Sequence, residues 1–340
     1  MLFPDRLPLK KKKTRLASLA ALLFGAALLA SCGGGDQKET FHADRVIVFG
    51  DEASLVNSGS DARFPRGSKF TVNVLSATDP LGYDCASNPI WVQAVASYYG
   101  HSFDECRPLG STGGGGVMRA VYGAKVADVK AQIDAYLAGN TLNAKDLVTL
   151  MAGAHDILDL VNTSPRPSRA TLMAAAGQAG TLLGDQWFRI TALRAKVLIA
   201  NLPDMALTPI GRTASAGDQQ LLHDLSTEFN DRLNLRLGDD PNGGGRSGAL
   251  LKADDDVAIF VANVNNQFGF TDVVDAACTT TPGGTVPMAD VDLPVSCTTT
   301  GANTNPAFGT WLWAGSTQLA PLGHGRLGER AQQSLHRNPL

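Results

Sequence analysis

The sequence predicts an α/β fold in which a central parallel sheet carries helices on both faces. Strongly apolar segments, which suit strands buried on both sides, alternate along the chain with segments of helical periodicity. Parallel strands need a crossover between them, and the intervening helices provide it. The 340 residues are 44% hydrophobic, which is enough for one large core, and no internal repeat is evident.

Four apolar segments are predicted as strands of this sheet. "RVIVF" (45–49) runs into a tight turn with Glu52 at its tip, and "DLVTLMAG" (146–153) and "AKVLIANLP" (195–203) follow it along the chain. "DDDVAIFVANV" (254–264) is predicted as the fourth strand. Its acidic start is expected to be solvated, because no ligand spacing supports a calcium site there.

Three other segments have more than one interpretation. "TVNVL" (71–75) is a candidate for an edge strand or a hairpin. Trp311 and Trp313 alternate along an expected last strand, and they are predicted to pack in the core, with lining of an acyl pocket as the alternative. "GSTGGGG" (110–116) is predicted as a flexible loop, because it lacks the Gly-Lys-Ser/Thr that completes a phosphate-binding loop.

The predicted helices have the apolar spacing and the end signals of amphipathic helices. One of them has Ser215 as a candidate N-cap and Gly238 as its stop. The five predicted helical segments are 88–100, 126–139, 168–194, 215–238 and about 320–335.

The N-terminus reads as an export signal rather than as part of the fold. A basic stretch precedes the apolar segment Leu16–Ala30, which is too short to span a bilayer comfortably. The ending "LLASC" resembles a bacterial lipobox, which implies cleavage before Cys32, acylation of that cysteine and a membrane as partner. Gly33 in the next position favours the outer membrane, and an ordinary secretion signal is the alternative. The predicted organisation is a signal peptide (1–31), a flexible tether (32–42) and one domain (43–340).

The charge balance argues against nucleic acid as a partner. Residues 1–31 hold six of the 29 Lys/Arg and one of the 32 Asp/Glu, so 23 basic and 31 acidic residues remain, a net charge of about −8. The sequence also shows no basic stripe interleaved with aromatic residues.

Four cysteines follow Cys32, and an even number in an exported chain suggests disulfides. Three pairings are possible. We expect Cys85 to pair with Cys106 and Cys278 with Cys297, because each bond then closes a short local loop. A metal site is the alternative, but the cysteines have neither C-x-x-C spacing nor nearby histidines.

Four segments together resemble the GDSL (SGNH) lipases and esterases. "VFGDEASLVN" (48–57) is similar to the family's F-G-D-S-L-S-D block, and "MAGAHDIL" (151–158) to its G-x-N-D block. "ANLPDMALTP" (200–209) resembles the turn that follows, and "TWLWAGSTQLAPLGHGRLGERA" (310–331) resembles the final block with its catalytic Asp and His. The order matches the family and implies a three-layer, flavodoxin-like SGNH-hydrolase fold.

The resemblance also implies that the catalytic side chains have been exchanged. The nucleophilic serine position is Glu52, and the oxyanion-binding asparagine position is His155. Counted back from His324, the catalytic aspartate position is Gly315 and the histidine position is Gln318; the other alignment frame gives Ala314 and Thr317. Gly123 matches the family's oxyanion glycine, so a backbone donor is the one oxyanion-binding group that the resemblance retains.

These replacements predict a protein without serine hydrolase activity. Acyl transfer needs a nucleophile, a base and an orienting group, and Gln318 cannot accept a proton near neutral pH. Ser54 as a nucleophile and His324 as a base are alternatives, although Ser54 suits the start of a helix and His324 matches a second, non-catalytic histidine of the family.

Two positions are open for the Glu52 side chain. Its carboxylate fills the old oxyanion pocket, where it accepts hydrogen bonds from its own turn, from Gly123 and from His155, or it points to solvent. A third arrangement is a metal cluster of Glu52, His155 and Asp156, whose residue types are permitted as ligands. No cofactor is predicted.

Three functions are compatible with this pattern. The favoured one is an outer-membrane lipoprotein with the SGNH-hydrolase fold, without esterase activity, that binds an acyl or glycan ligand. The alternatives are an active esterase or lipase that uses non-standard residues, and a purely structural protein of the envelope.

Overall fold

The computed structural model describes residues 41–76, 82–108, 111, 113–239 and 248–337. Its centre is a six-stranded parallel sheet in the order β2-β3-β1-β4-β5-β6. Apart from the two-residue edge strand β2, this is the strand order of the flavodoxin-like doubly wound folds. The strands are β1 (Arg45–Gly50), β2 (Ser102–Phe103), β3 (Gly115–Met118), β4 (Asp146–Met151), β5 (Lys196–Ala200) and β6 (Gly248–Leu251).

Helices cover both faces of this sheet, which confirms the predicted three-layer architecture. The helices are α1 (Trp91–Tyr98), α2 (Val126–Leu137), α3 (Ala154–Asn162), α4 (Arg169–Thr191), α5 (Pro209–Thr213), α6 (Ala216–Gly238), α7 (Ala253–Ala262), α8 (Leu293–Ser296) and α9 (Pro321–Arg337). Along β1, Val46 and Val48 pack in one core with α1, α7 and α9. Ile47 and Phe49 point to the other face, into a core with α2, α3, α4 and α6.

The segment predicted as the fourth strand is instead the helix α7, and the strand β6 precedes it. Asp254, Asp255 and Asp256 lie in the first turn of α7, where negative charge is favoured by the helix dipole. Val257 and Phe260, three positions apart, are its buried residues together with Ala253. Asn263 ends the helix in the left-handed conformation.

Two further predictions of local structure are corrected. The segment 71–75 forms only isolated bridges, Asn73 with Thr298 and Leu75 with Tyr83, and the buried amide of Asn73 bonds to backbone oxygens there. The glycine-rich segment is partly strand, because Gly115 and Gly116 belong to β3. A Cβ on Gly116 would come within 2.8 Å of the Ser102 carbonyl oxygen, so the pairing with β2 requires glycine there.

The predicted last strand does not join the central sheet. Trp311–Trp313 (β8) pairs in parallel with Asp272–Ala276 (β7) in a separate two-stranded sheet. Trp313 is buried, as predicted for a core residue, and its Nε1 donates to the Val273 carbonyl at 3.1 Å. The disulfide Cys278–Cys297 closes a loop within the connection between these strands, and Cys85–Cys106 is the second disulfide, so the structure contains both expected pairs.

Candidate active site

The candidate site lies where β1 and β4 end side by side, with Gly50 opposite Met151. The chain passes from β1 to β3 on one side and later to β4 on the other, so this edge is the topological switch point of the sheet. Open α/β sheets bind their ligands at the carboxyl ends of the strands at such points. Glu52 follows β1, Gly123 follows β3 and His155 starts α3 directly after β4.

The turn after β1 directs Glu52 inward. Gly50 has φ +154°, and a Cβ at this position would lie 2.2 Å from the Met151 carbonyl oxygen, so the turn requires glycine. Asp51 then caps the short helix Glu52–Ser54, since its Oδ1 accepts a hydrogen bond from the Ala53 N–H at 3.1 Å. As a result Glu52 is only 1% exposed, which rules out the solvent-facing position.

Three donors converge on the Glu52 carboxylate. The Gly123 N–H donates to Oε2 at 2.9 Å, and His155 Nε2 lies 2.7 Å from Oε1. Gln318 Nε2 donates to the same Oε1 at 3.3 Å. The structure therefore connects, in one hydrogen-bond network, four of the positions that the family resemblance singles out: Glu52, Gly123, His155 and Gln318. A backbone N–H of the turn was also expected to donate to the Glu52 carboxylate. No such bond occurs among the described contacts, because the Ala53 N–H donates to Asp51 instead.

The contact with Glu52 makes His155 basic. Burial works against protonation, but the hydrogen bond and the negative charge of Glu52 outweigh it and raise the pKa of His155 to about 9. Tyr122 packs edge-on against the imidazole, with the ring centroids 5.9 Å apart, and stacks in turn on Phe70. Glu52 and His155 therefore form a partly enclosed ion pair at neutral pH.

Asp290 is a member of the site that sequence reasoning missed. Its carboxylate accepts hydrogen bonds from the N–H and the hydroxyl of Thr317, and Thr317 Oγ1 accepts from Gln318 Nε2 at 3.0 Å. Although the residue keeps some exposed surface, loss of water around the carboxyl and the nearby charge of Glu52 raise its pKa to about 6. Asp290 lies in the disulfide-closed loop, where neither periodicity nor a motif singles it out.

The position matched to the catalytic aspartate is a glycine in a tightly packed place. A Cβ on Gly315 would come within 2.8 Å of Leu293 and 3.0 Å of the Met288 carbonyl oxygen. Gly315 forms a turn with Gln318 instead, and no hydrogen bond joins it to Glu52 among the described contacts. A side chain at this position would have to displace the end of Leu293, and Gly315 itself supplies no carboxylate that could orient a base.

The proposed metal cluster does not form. Asp156 turns away from Glu52 and accepts a hydrogen bond from the Val126 N–H at 3.0 Å, at the start of α2. Within the described part of the chain, no three His, Cys, Asp or Glu side chains are placed to hold a metal ion.

Ser54 and His324 are both inside the protein and outside the network around Glu52. Ser54 is completely buried, and its hydroxyl has no hydrogen-bond partner in the described structure. His324 is 1% exposed, and burial, with a smaller effect from the charge of Lys69, lowers its pKa to about 3. A base held neutral in this way has no hydrogen bond to the Ser54 hydroxyl in the described residues, so these two do not form a nucleophile–base pair.

Comparisons with known proteins found matches only among solved structures. The chain matches no family model, and no curated protein matches it. A member of the lipolytic G-D-S-L family from Veillonella parvula is 12% identical, with 86% of this chain and 98% of that chain covered and a TM-score of 0.42. An acetylxylan esterase from Geobacillus stearothermophilus is 10% identical, with 88% and 96% covered and a TM-score of 0.42. A putative GDSL-like lipase from Parabacteroides merdae is 9% identical, with 88% and 99% covered and a TM-score of 0.43. These values describe a distant likeness and carry no information about the site.

Proposed function

We propose that this chain is an exported, SGNH-hydrolase-like lipoprotein without serine esterase activity, and that it binds an acyl or glycan ligand. The observation that carries the proposal is the buried Glu52 carboxylate, bonded to Gly123, His155 and Gln318. It stands where the family resemblance places the attacking serine.

This arrangement lacks the parts that ester hydrolysis by a serine enzyme requires. A carboxylate that attacked an ester would form an anhydride, a product higher in free energy than the ester. The Gln318 amide cannot take a proton from a nucleophile near neutral pH. In addition, the Gly123 N–H, which the resemblance assigns to oxyanion binding, already bonds to Glu52. The donors that would stabilise a transition state are therefore occupied by the protein itself.

The proposed location rests on Cys32 and on the signal-like sequence before it. In this proposal a lipid on Cys32 anchors the protein to the outer membrane, because two or more acyl chains give stable anchoring. No helix in the described residues is long and apolar enough to cross a membrane. Labelling of cells with an alkyne fatty acid tests the anchor: the wild-type protein should take up the label, whereas a Cys32→Ser variant should not.

Absence of serine catalysis is tested with a fluorophosphonate probe and a series of short-chain p-nitrophenyl esters. We expect no covalent adduct by intact-mass spectrometry, and ester turnover no faster than with heat-denatured protein. The matched control is Ser54→Ala, which should behave like the wild type. Labelling of the wild type together with loss of both labelling and turnover in Ser54→Ala would establish the alternative, an esterase with non-standard residues.

A further inference from the structure

The disulfide Cys85–Cys106 lies beside a buried lysine that has no counter-ion in contact. Lys69 is only 1% exposed. Its Nζ donates to three backbone carbonyl oxygens, those of Cys85 (2.8 Å), Ser87 (2.6 Å) and Asn88 (3.0 Å). These oxygens replace the water around the ammonium group, but they carry no net charge. A positive charge at this place therefore lacks the charged partner that buried ions usually have.

Asp84 is the nearby carboxylate whose charge acts on Lys69, and it is engaged elsewhere. It accepts hydrogen bonds from the Ser87 hydroxyl at 2.6 Å and from the backbone N–H groups of Ala86 and Ser87. No ion pair joins it to Lys69 in the described part of the chain. Burial accordingly outweighs its attraction and lowers the pKa of Lys69 to about 7. A negative charge formed next to Lys69 would be stabilised directly.

The two disulfides of the protein differ in their access to solvent. Cys278 and Cys297 are completely buried, whereas Cys106 is partly exposed and Cys85 is 3% exposed. Gln93, in the first turn of α1, directs its amide to the more accessible bond: Nε2 donates to Cys106 Sγ at 3.3 Å and to the Cys85 carbonyl at 3.0 Å. Solvent therefore reaches the Cys106 side of this disulfide, while Cys85 lies on the side of the buried lysine.

We propose that Cys85–Cys106 is a site of thiol–disulfide exchange with an external dithiol. A thiolate of the dithiol attacks Cys106 Sγ, the S–S bond breaks, and its electron pair leaves on Cys85 Sγ as a thiolate beside Lys69. The second thiolate of the dithiol then attacks its own sulfur in the mixed disulfide and releases Cys106, which takes up a proton. Two electrons pass to the protein, the dithiol becomes a disulfide, and its remaining proton goes to solvent.

The unbalanced charges around the bond set the direction of this exchange. A thiol with a lowered pKa is the better leaving group, and a neighbouring lysine lowers the pKa of a thiol. Lys69 supplies that charge on the Cys85 side. On the other side, Glu105 precedes Cys106 in the chain and has a buried carboxylate oxygen without a described hydrogen-bond partner. A negative charge is therefore better placed on Cys85 than on Cys106.

The test is equilibration of the purified protein with defined ratios of reduced to oxidised dithiothreitol at neutral pH. Free thiols are blocked with N-ethylmaleimide and assigned by peptide mass spectrometry, with Cys278–Cys297 of the same molecule as the matched control. We expect Cys85–Cys106 to be half reduced at a ratio about tenfold or more below that of the control bond. In Lys69→Met the ratio for Cys85–Cys106 should rise about three- to tenfold, while that of the control bond stays unchanged.

Two further measurements do not require Lys69→Met to fold. Brief exposure of the wild type to glutathione should place the adduct on Cys106. In Cys106→Ser, alkylation of Cys85 by iodoacetamide should reach half its maximal rate at a lower pH than alkylation of Cys106 does in Cys85→Ser. Equal reduction ratios for the two disulfides, a glutathione adduct on Cys85, or the reverse order of the two alkylation profiles would each overturn the proposal.

Discussion

Position 52 carries a carboxylate that is almost completely buried and that has a backbone donor, an imidazole and an amide as partners. A carboxylate is tolerated inside a protein only when such partners replace its water. Each partner also depends on Glu52, because without it the Gly123 N–H and the His155 imidazole lose their acceptor. Glu52 is therefore expected to stabilise the fold rather than to react.

We predict that Glu52→Ala lowers the free energy of unfolding by about 1–3 kcal/mol, the cost of leaving buried polar groups unpaired. Added formate should restore part of the loss, because a free carboxylate can occupy the vacated place between the donors. Urea unfolding with and without formate measures both effects. The control is Glu329→Ala, whose exposed pair with Arg326 contributes little. Equal stability of Glu52→Ala and wild type would contradict the prediction.

The second residue-scale prediction concerns Asp290. Its pKa in the folded protein, about 6, lies above its ordinary value of 3.8. A raised pKa means that the contribution of this group to stability is complete below pH 3.8 and is lost as the pH rises through 6. The free energy of unfolding should therefore contain a decrease between about pH 4 and 6 that Asp290→Asn removes. Urea unfolding across this range, with the exposed Asp292→Asn as control, tests it; an unchanged pH profile in Asp290→Asn would refute it.

The sequence allowed much of the site to be anticipated, but not all of it. Glu52 and His155 directly follow strands with strong apolar signals, so their meeting at one sheet edge could be expected. Gln318 could be placed only through the resemblance of the final block. Asp290 reaches the site through Thr317 from an irregular loop, and such tertiary contacts leave no periodic trace in the sequence.

Among the elements, the helices α4 and α6 pack closely because three glycines of α4 face α6. A Cβ on Gly180 would lie 2.1 Å from the Phe229 carbonyl oxygen, whereas a Cβ on Gly177 would meet only the side chains of Glu228 and Arg232. The Phe229 backbone next to Gly180 cannot move without separating the two helices, whereas the side chains next to Gly177 can change their conformation.

We predict opposite outcomes for two Gly→Ala substitutions on α4. Gly180→Ala should lower the free energy of unfolding by about 1–3 kcal/mol, because overpacking outweighs the better helix propensity of alanine. Gly177→Ala, the matched control, should leave stability unchanged or raise it by up to about 1 kcal/mol. Thermal unfolding of both variants provides the comparison. Equal stability of Gly180→Ala and Gly177→Ala would contradict the close contact between Gly180 and the Phe229 backbone.

The elements also show where sequence patterns mislead. Residues 254–264 contain an apolar run of a length that suits a strand as well as a buried helix, and periodicity alone does not separate the two. The acidic start was the useful signal, since three aspartates in a row suit the first turn of a helix. The strand β6 just before this helix has only four residues, which is too short for its apolar pattern to identify it as the fourth strand.

At the scale of the whole molecule, the doubly wound sheet brings residues from distant parts of the chain to one edge. Glu52, Gly123, His155 and Gln318 span most of the described sequence and meet within hydrogen-bond distance. A sheet of this kind commonly binds its ligand there. Here the edge carries the Glu52 carboxylate paired with the His155 imidazole, and the neighbouring donors Gly123 N–H and Gln318 Nε2 also bond to Glu52. This pairing within the protein is the basis for proposing a binding protein rather than an esterase.

The most direct measurement is an NMR titration of the His155 imidazole in the purified protein, its Glu52→Gln variant and the exposed control Glu329→Gln. The ion pair predicts that the pKa of His155 is raised to about 9 in the wild type and in the control. In Glu52→Gln the charge that opposes desolvation is gone, so the pKa should fall to 6.5 or below. A wild-type His155 that titrates near 6.5, unchanged by Glu52→Gln, would show that Glu52 does not occupy the site as described.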